Sequence, residues 1–154
     1  MKKIGIVGKR DTEAIKKADE LERWLRSKYI EIVRRENVPP KQRVSDKDKS
    51  SAPADLCCVF VLGGGGTFLS AVRWIGDQKI PILGIKFGEV GFLAEIAEES
   101  LFSVAEAVLN NKLITEPSMR LLVRVIRKGE DLVCETVLND IVINKNALGW
   151  TYPA

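Results

Sequence analysis

Four consecutive glycines, Gly63-Gly64-Gly65-Gly66, separate the apolar run Leu56-Cys57-Cys58-Val59-Phe60-Val61-Leu62 from Thr67 and the helical stretch Phe68–Ile75. A buried strand that turns through glycine into a helix is an anion seat. Glycine permits the tight turn and a close backbone approach, and the helix start offers N–H groups and partial positive charge. Thr67, at the junction, can cap the helix or donate to a phosphate oxygen. The same four glycines also read as a turn with no ligand. They are neither a Walker A loop, since no Gly-Lys-Ser/Thr follows, nor a Gly-x-Gly-x-x-Gly fingerprint at the first strand-to-helix turn. A second glycine segment, Gly84-Ile85-Lys86-Phe87-Gly88-Glu89-Val90-Gly91-Phe92-Leu93, also follows a strand-like run. Both loops should then meet at the carboxyl edge of one sheet, where open α/β sheets bind ligands. Phe92 reads equally as a surface for a nucleobase and as a core residue under a loop. Lys86 reads as an exposed lysine, with a cation near the phosphates as the alternative.

The composition narrows the chemistry further. The 154 residues contain no histidine. Ser-His-Asp and Cys-His nucleophiles, His-ligated zinc and imidazole acid–base work are therefore excluded. The formal charge of +3, from 24 basic and 21 acidic residues, argues against a dedicated nucleic-acid binder but would not repel phosphorylated ligands. Three cysteines, Cys57, Cys58 and Cys134, lack metal-ligand spacing. The first two read as core residues of a strand, and the odd count fits a reducing cytoplasm. No segment is long and apolar enough to cross a bilayer, and the first residues are too short an apolar stretch for a signal peptide.

The elements that must position the glycine loops follow from periodicity. Lys3–Val7 is a short strand ending at Gly8, and a helix follows from Asp11 or Thr12. Its stripe is Ala14, Ile15, Ala18, Leu21 and Leu25, with Trp24 beside it. Tyr29–Val33 reads as a second strand, and both strands look buried on two faces. Residues 36–55, with three prolines and a Ser-Lys-Asp cluster, read as a mobile surface loop. Leu56–Leu62 suits a central parallel strand, and Pro81–Ile85 is the fourth. A helix runs from about Glu98 to Asn110, with Leu101, Val104, Ala105, Val108 and Leu109 on its apolar face. After Pro117 the pattern changes: Leu121–Ile126, a Lys128-Gly129-Glu130 turn and Leu132–Leu138 form a hairpin signature. The expected fold is α/β. A Rossmann-like domain with a parallel sheet spans 1–117, followed at 118–154 by the start of an incomplete antiparallel β domain.

The motifs together resemble the NAD kinases. The resemblance rests on Leu62-Gly63-Gly64-Gly65-Gly66-Thr67-Phe68-Leu69-Ser70-Ala71, Pro81-Ile82-Leu83-Gly84-Ile85, Gly88-Glu89-Val90-Gly91-Phe92-Leu93-Ala94-Glu95 and Leu138-Asn139-Asp140, in that order, and runs from Met1 to about Ala147. It implies ATP-dependent phosphorylation of the 2′-hydroxyl of the adenosine ribose of NAD. It also implies NAD, ATP and a divalent cation, Mg2+, as cofactors. Small-molecule nucleotides are then the partners, with no nucleic acid or membrane, in a cytoplasmic homo-oligomer. By this resemblance Gly63, Gly64, Gly66, Thr67 and Phe68 are cofactor-binding, with Gly66 and Thr67 helping to hold the nucleotide phosphates, Phe92 lies against the NAD adenosine, and Asn139 and Asp140 bind the dinucleotide. Gly65 stands where the family's Gly-Gly-Asp-Gly-Thr motif has its aspartate base. A positioned base contributes about 10²–10⁴-fold, so an impaired kinase is expected, with a catalytically dead nucleotide-binding fragment as the alternative. Lys86 stands where many relatives have asparagine. The family's second-domain motifs do not occur after Asn139-Asp140, so the chain reads as a shortened product whose β domain would expose an edge and favour self-association.

Overall fold

The computed structural model describes residues 2–36, 51–87 and 96–138. The chain divides into two compact units, Met1–Thr115 and Glu116–Ala154.

The first unit is an α/β sheet. Its strands are β1 (Lys3–Gly8), β2 (Glu31–Glu36), β3 (Leu56–Leu62), β4 (Ile82–Lys86) and β5 (Ile96–Ala97). They pair in parallel in the order β2-β1-β3-β4-β5. Helix α1 (Thr12–Ser27) joins β1 to β2, and α2 (Gly65–Ile75) joins β3 to β4. Helix α3 (Leu101–Leu109) follows a short 3-10 turn, Glu98–Ser100. The helices cover opposite faces of the sheet. Ala14, Ala18, Leu21 and Leu25 of α1 and Leu101 and Ala105 of α3 pack with Ile4, Ile6, Cys58, Phe60, Leu62 and Ile85. On the other face Ala71, Trp74 and Ile75 of α2 pack with Val7, Leu56, Val59 and Val61. Each fully buried Leu, Ile or Phe contributes on the order of 1.5–3 kcal/mol of transfer free energy, so these two layers hold the unit together. Gly5 is required by the second layer: a Cβ there would stand 2.9 Å from the Trp74 ring and 3.0 Å from Val59 Cγ2.

Several expectations are corrected. Cys57 is exposed, whereas Cys58 is buried and its thiol is pushed up to about 12 by desolvation. The cause is an irregularity in the pairing with β1, where Lys3 faces Leu56 but Ile4 faces Cys58, so Cys57 has no partner in the ladder. Ile15 is 45% exposed, at the rim of the α1 stripe. The second strand starts later than expected, at Glu31, because Tyr29 ends the helix with φ 61°. The amides of Tyr29 and Ile30 reach back to the carbonyls of Arg26 and Leu25, a Schellman closure. Strand β2 lies at the sheet edge and is not buried on both faces: Arg34 is exposed and pairs with Asp19 and Glu22 of α1. The end of the expected surface loop is pinned. Ala52 is buried, its amide donates to the Trp74 carbonyl at 2.9 Å, and its own carbonyl accepts from Gln78.

In the second unit, β6 (Leu121–Arg127) and β7 (Glu130–Val137) form an antiparallel hairpin. Lys128 and Gly129 close it, both at positive φ, as a two-residue primed turn demands. Cys134 on β7 is exposed. Residues 37–50, 88–95 and 139–154 lie outside the described residues, so Phe92, Asn139 and Asp140 are not placed.

Candidate functional site

The strand order reverses between β1 and β3. From β1 the chain crosses to β2 on one side, and from β3 it crosses to β4 on the other. With α1 and α2 on opposite faces, the carboxyl ends of β1 and β3 border the crevice where doubly wound sheets take their ligands. The segments that emerge there are Lys9–Asp11 after β1, Gly63–Gly66 after β3 and Phe87 after β4.

The four glycines divide into two kinds. Gly63 is buried at φ +158°, and a Cβ there would meet Thr67 Oγ1 at 2.6 Å, Thr67 Cβ at 2.9 Å and Lys9 Cβ at 3.2 Å. No other residue fits. Its amide donates to the Ile85 carbonyl at 3.0 Å, and the Lys9 amide donates to the Leu62 carbonyl at 2.8 Å, which ties three strand ends into one rim. Gly65 and Gly66 have nothing within 4 Å of an added Cβ. They are the first two residues of α2.

The helix starts at Gly65, earlier than Phe68, and its N-cap is Gly64 with no side-chain cap. The Gly64 carbonyl accepts the Thr67 and Phe68 amides, both at 3.1 Å. The amides of Gly65 and Gly66 are therefore among the N–H groups a helix start leaves without an intrahelical acceptor. Neither glycine has a side chain of its own to stand between its amide and an anion. Thr67 is not the cap. It is 3% exposed, sits in the first turn and floors the Gly63 slot. Phe68 is half-buried and packs against the α2-side core. Lys86 ends β4 and is half-buried.

The opening of α1 supplies further charge at the same edge. Asp11 caps α1 by accepting the Ala14 amide at 2.8 Å, and Lys9 Nζ lies 2.9 Å from its other oxygen. The amide bond first and the ammonium second hold the Asp11 carboxyl below its usual range. Lys9 stands directly after the strand-ending Gly8 in the sequence. Its place beside Gly63 depends on strand register, which composition does not carry. Among the described residues no group of three or more His, Cys, Asp or Glu lies together to hold a metal, and no helix is long and apolar enough to cross a membrane.

Comparison with known proteins agrees with this geometry. The ATP-NAD kinase N-terminal domain family matches residues 4–113. The chain is 51% identical to an NAD kinase of Desulfatibacillum aliphaticivorans over 148 residues, which covers 96% of this chain and 52% of that protein. It is 39% identical to an NAD kinase of Geobacter sulfurreducens, covering 96% and 53% respectively. The chain thus spans about half the length of the curated relatives it matches. A crystal structure of yeast NADH kinase complexed with NADH superposes with a TM-score of 0.62 at 17% identity, over 90% of this chain and 47% of that one, and so shares the fold. The family match takes in more than half of the sequence and centres on the sheet that carries the glycine turn: the chain belongs to the ATP-NAD kinase family.

Proposed function

We propose that the chain is the nucleotide-binding half of an NAD kinase, and that Gly65 leaves this chain slow or inactive in the transfer. The observation that carries the reading is the β3–glycine–α2 turn at the strand-order reversal, with Gly65 and Gly66 as the first two residues of α2. In the reaction the 2′-oxygen of the NAD adenosine ribose forms a bond to the γ-phosphorus of ATP. The bond to the β,γ-bridging oxygen breaks, ADP leaves, and the hydroxyl proton passes to an acceptor. The amides bind and orient phosphate charge; the acceptor is what Gly65 lacks. Phe92, Asn139 and Asp140 would hold the dinucleotide. Mg2+ would enter with the triphosphate, since the described residues offer no donor set of their own. The same reading carries a cytoplasmic homo-oligomer.

The test is calorimetric titration of the chain with NAD and with ATP, beside an NADP-coupled turnover assay. Nucleotide affinity with little or no NADP formed is the expected outcome. Absence of affinity for both nucleotides would remove the reading, and substantial turnover would remove the role given to Gly65. Joined to the second half of the Desulfatibacillum relative, Gly65→Asp should raise turnover about 10²–10⁴-fold over the same fusion with glycine. A second reading, nucleotide binding as the chain's whole role, is favoured by the bare Gly65. It predicts that this fusion stays inactive with either residue.

A further inference from the structure

The carboxyl end of the first unit is laid bare. That unit closes at Thr115, yet residues 112–120 belong to no helix or strand. Residues 111–119 are all exposed, Ile114 to 94% and Met119 to 80%. Among the described residues, no backbone hydrogen bond involves residues 113–119. The sequence accounts for the start of the stretch and for its course. Asn111 takes φ 53°, and the Lys112 amide reaches back to the Ala107 carbonyl at 2.9 Å, which closes α3. Lys2 Nζ donates to the Leu109 carbonyl at 2.9 Å and ties that closure to the start of the chain. Further on, Pro117 has no N–H to give and biases Glu116 towards an extended backbone, so a helix does not continue.

The packing of the first unit stops before this stretch. Among the described residues its buried core runs from Ile4 to Ala105, and the half-buried side chains packed against it end at Leu109. A chain break beyond Lys112 therefore leaves that packing whole. Endopeptidases take their substrate as an extended strand held by main-chain hydrogen bonds, so they cut where backbone is both unburied and unbonded. Elsewhere among the described residues the longest stretch outside helices and strands, 76–81, contains buried Ile80, and its Gly76 and Gln78 amides are bonded to α2.

We propose that residues 113–119 are an endoproteolytic cleavage segment, entered at the Leu113–Ile114 bond by an endopeptidase with a pocket for a large aliphatic side chain, and that the first unit stays folded after the cut. Leu113 and Ile114 are adjacent aliphatic residues, both exposed, and Ile114 is almost wholly in solvent. Water is the co-reactant. Its oxygen bonds to the Leu113 carbonyl carbon, the C–N bond breaks, and both water protons pass to the Ile114 nitrogen, leaving a carboxylate and an ammonium. On the kinase reading the cut would part the glycine turn covalently from Asn139 and Asp140, but the proposal does not rest on that reading.

The 154-residue chain is treated with catalytic amounts of thermolysin, which cuts on the amino side of large aliphatic residues, and the products are weighed by mass spectrometry. Among the described residues the first cut should fall at Leu113–Ile114, at a rate within about tenfold of that for a free peptide of residues 110–120. A segment that opened only with global unfolding would lag the peptide by about 10³-fold or more. The fragment ending at Leu113 should unfold in urea at the midpoint of the whole chain, followed by tryptophan fluorescence. Ile114→Asp should slow that cut about tenfold or more and leave the midpoint unchanged. The proposal is overturned if a described helix or strand is cut before residues 113–119, if the rate lags the peptide by the larger factor, or if the released fragment loses its cooperative transition. Cleavage as expected in a chain without any NAD affinity would remove the kinase reading and leave the cleavage segment standing.

Discussion

Replacing each glycine of the turn by alanine should separate residues that look identical in the sequence. At Gly63 the added methyl would overlap a β-branched side chain: it would stand 2.6 Å from Thr67 Oγ1 and 2.9 Å from Thr67 Cβ, with Lys9 Cβ at 3.2 Å on the other side. Thr67 is 3% exposed and sits on a helix, where its rotamers are few, so it cannot swing clear. Overpacking of this kind costs about 1–3 kcal/mol, and φ +158° adds about 1 kcal/mol or more for an L residue. Gly63→Ala should therefore destabilise the first unit by about 2–4 kcal/mol. At Gly65 and Gly66 an added Cβ meets nothing, and alanine is the better helix former by up to about 1 kcal/mol. Those two variants should be neutral or slightly stabilised. Urea unfolding followed by tryptophan fluorescence reports on this unit through Trp24 and Trp74, which lie in its two core layers. With a slope of about 2 kcal/mol/M, the Gly63→Ala midpoint should fall by roughly 1–2 M. Equal midpoints for Gly63→Ala and Gly65→Ala would refute the argument, because the turn would then be loose enough to relax around a methyl and could not fix the amides of α2.

Two further predictions concern the ends of α1. Tyr29 is 86% exposed and holds φ 61°, so Tyr29→Gly removes left-handed strain without losing packing; it should stabilise by about 0.5–1 kcal/mol, read as a Tm rise of roughly 2–4 °C. Asp11→Ala removes the cap to Ala14 and should cost about 1 kcal/mol at neutral pH. The Asp11 carboxyl is depressed in the folded state, so its contribution is present above the unfolded value of 3.8 and fades as pH falls through the lower folded one. The gap between wild type and Asp11→Ala should therefore close on acidification below about pH 4, and a gap constant down to pH 2 would count against the cap.

How far the sequence could be read depended on whether a feature is local. Strand Leu56–Leu62 is a continuous apolar run buried on two faces except at Cys57, and its bounds are as expected. The β6–β7 turn is carried by Lys128-Gly129, where turn chemistry is explicit. The exposure of Cys57 is not local, because it arises from an irregularity in the ladder to β1. Tyr29-Ile30 is an apolar, β-prone pair that suggests an earlier start for strand β2, yet the chain spends it on closing α1. Its charged continuation, Arg34-Arg35, is tolerated because Arg34 finds Asp19 and Glu22 on α1 and Arg35 lies over the Trp74 ring. At the site, the strand–glycine–helix turn is legible in the sequence, but the role of Thr67 is not. A threonine after glycines suggests a cap, whereas here the helix begins before it and the side chain is taken up beneath Gly63.

The division among the glycines also decides what the bare Gly65 means. Gly63 is glycine because the fold leaves no choice. Gly65 is under no such constraint: the space around an added Cβ is open, and a carboxylate at the first position of α2 would be favoured by the helix dipole. Packing therefore does not explain the missing side chain. On the proposed kinase reading its absence removes a proton acceptor, and it would also remove a negative charge from the place where phosphates would sit. The two consequences pull in opposite directions. On the proposed kinase reading the hydroxyl would lack its base, while the amides of Gly65 and Gly66 would meet an anion with no competing charge at position 65. On that reading binding and chemistry are separable, because the backbone of the turn would make the grip while the transfer needs one side chain.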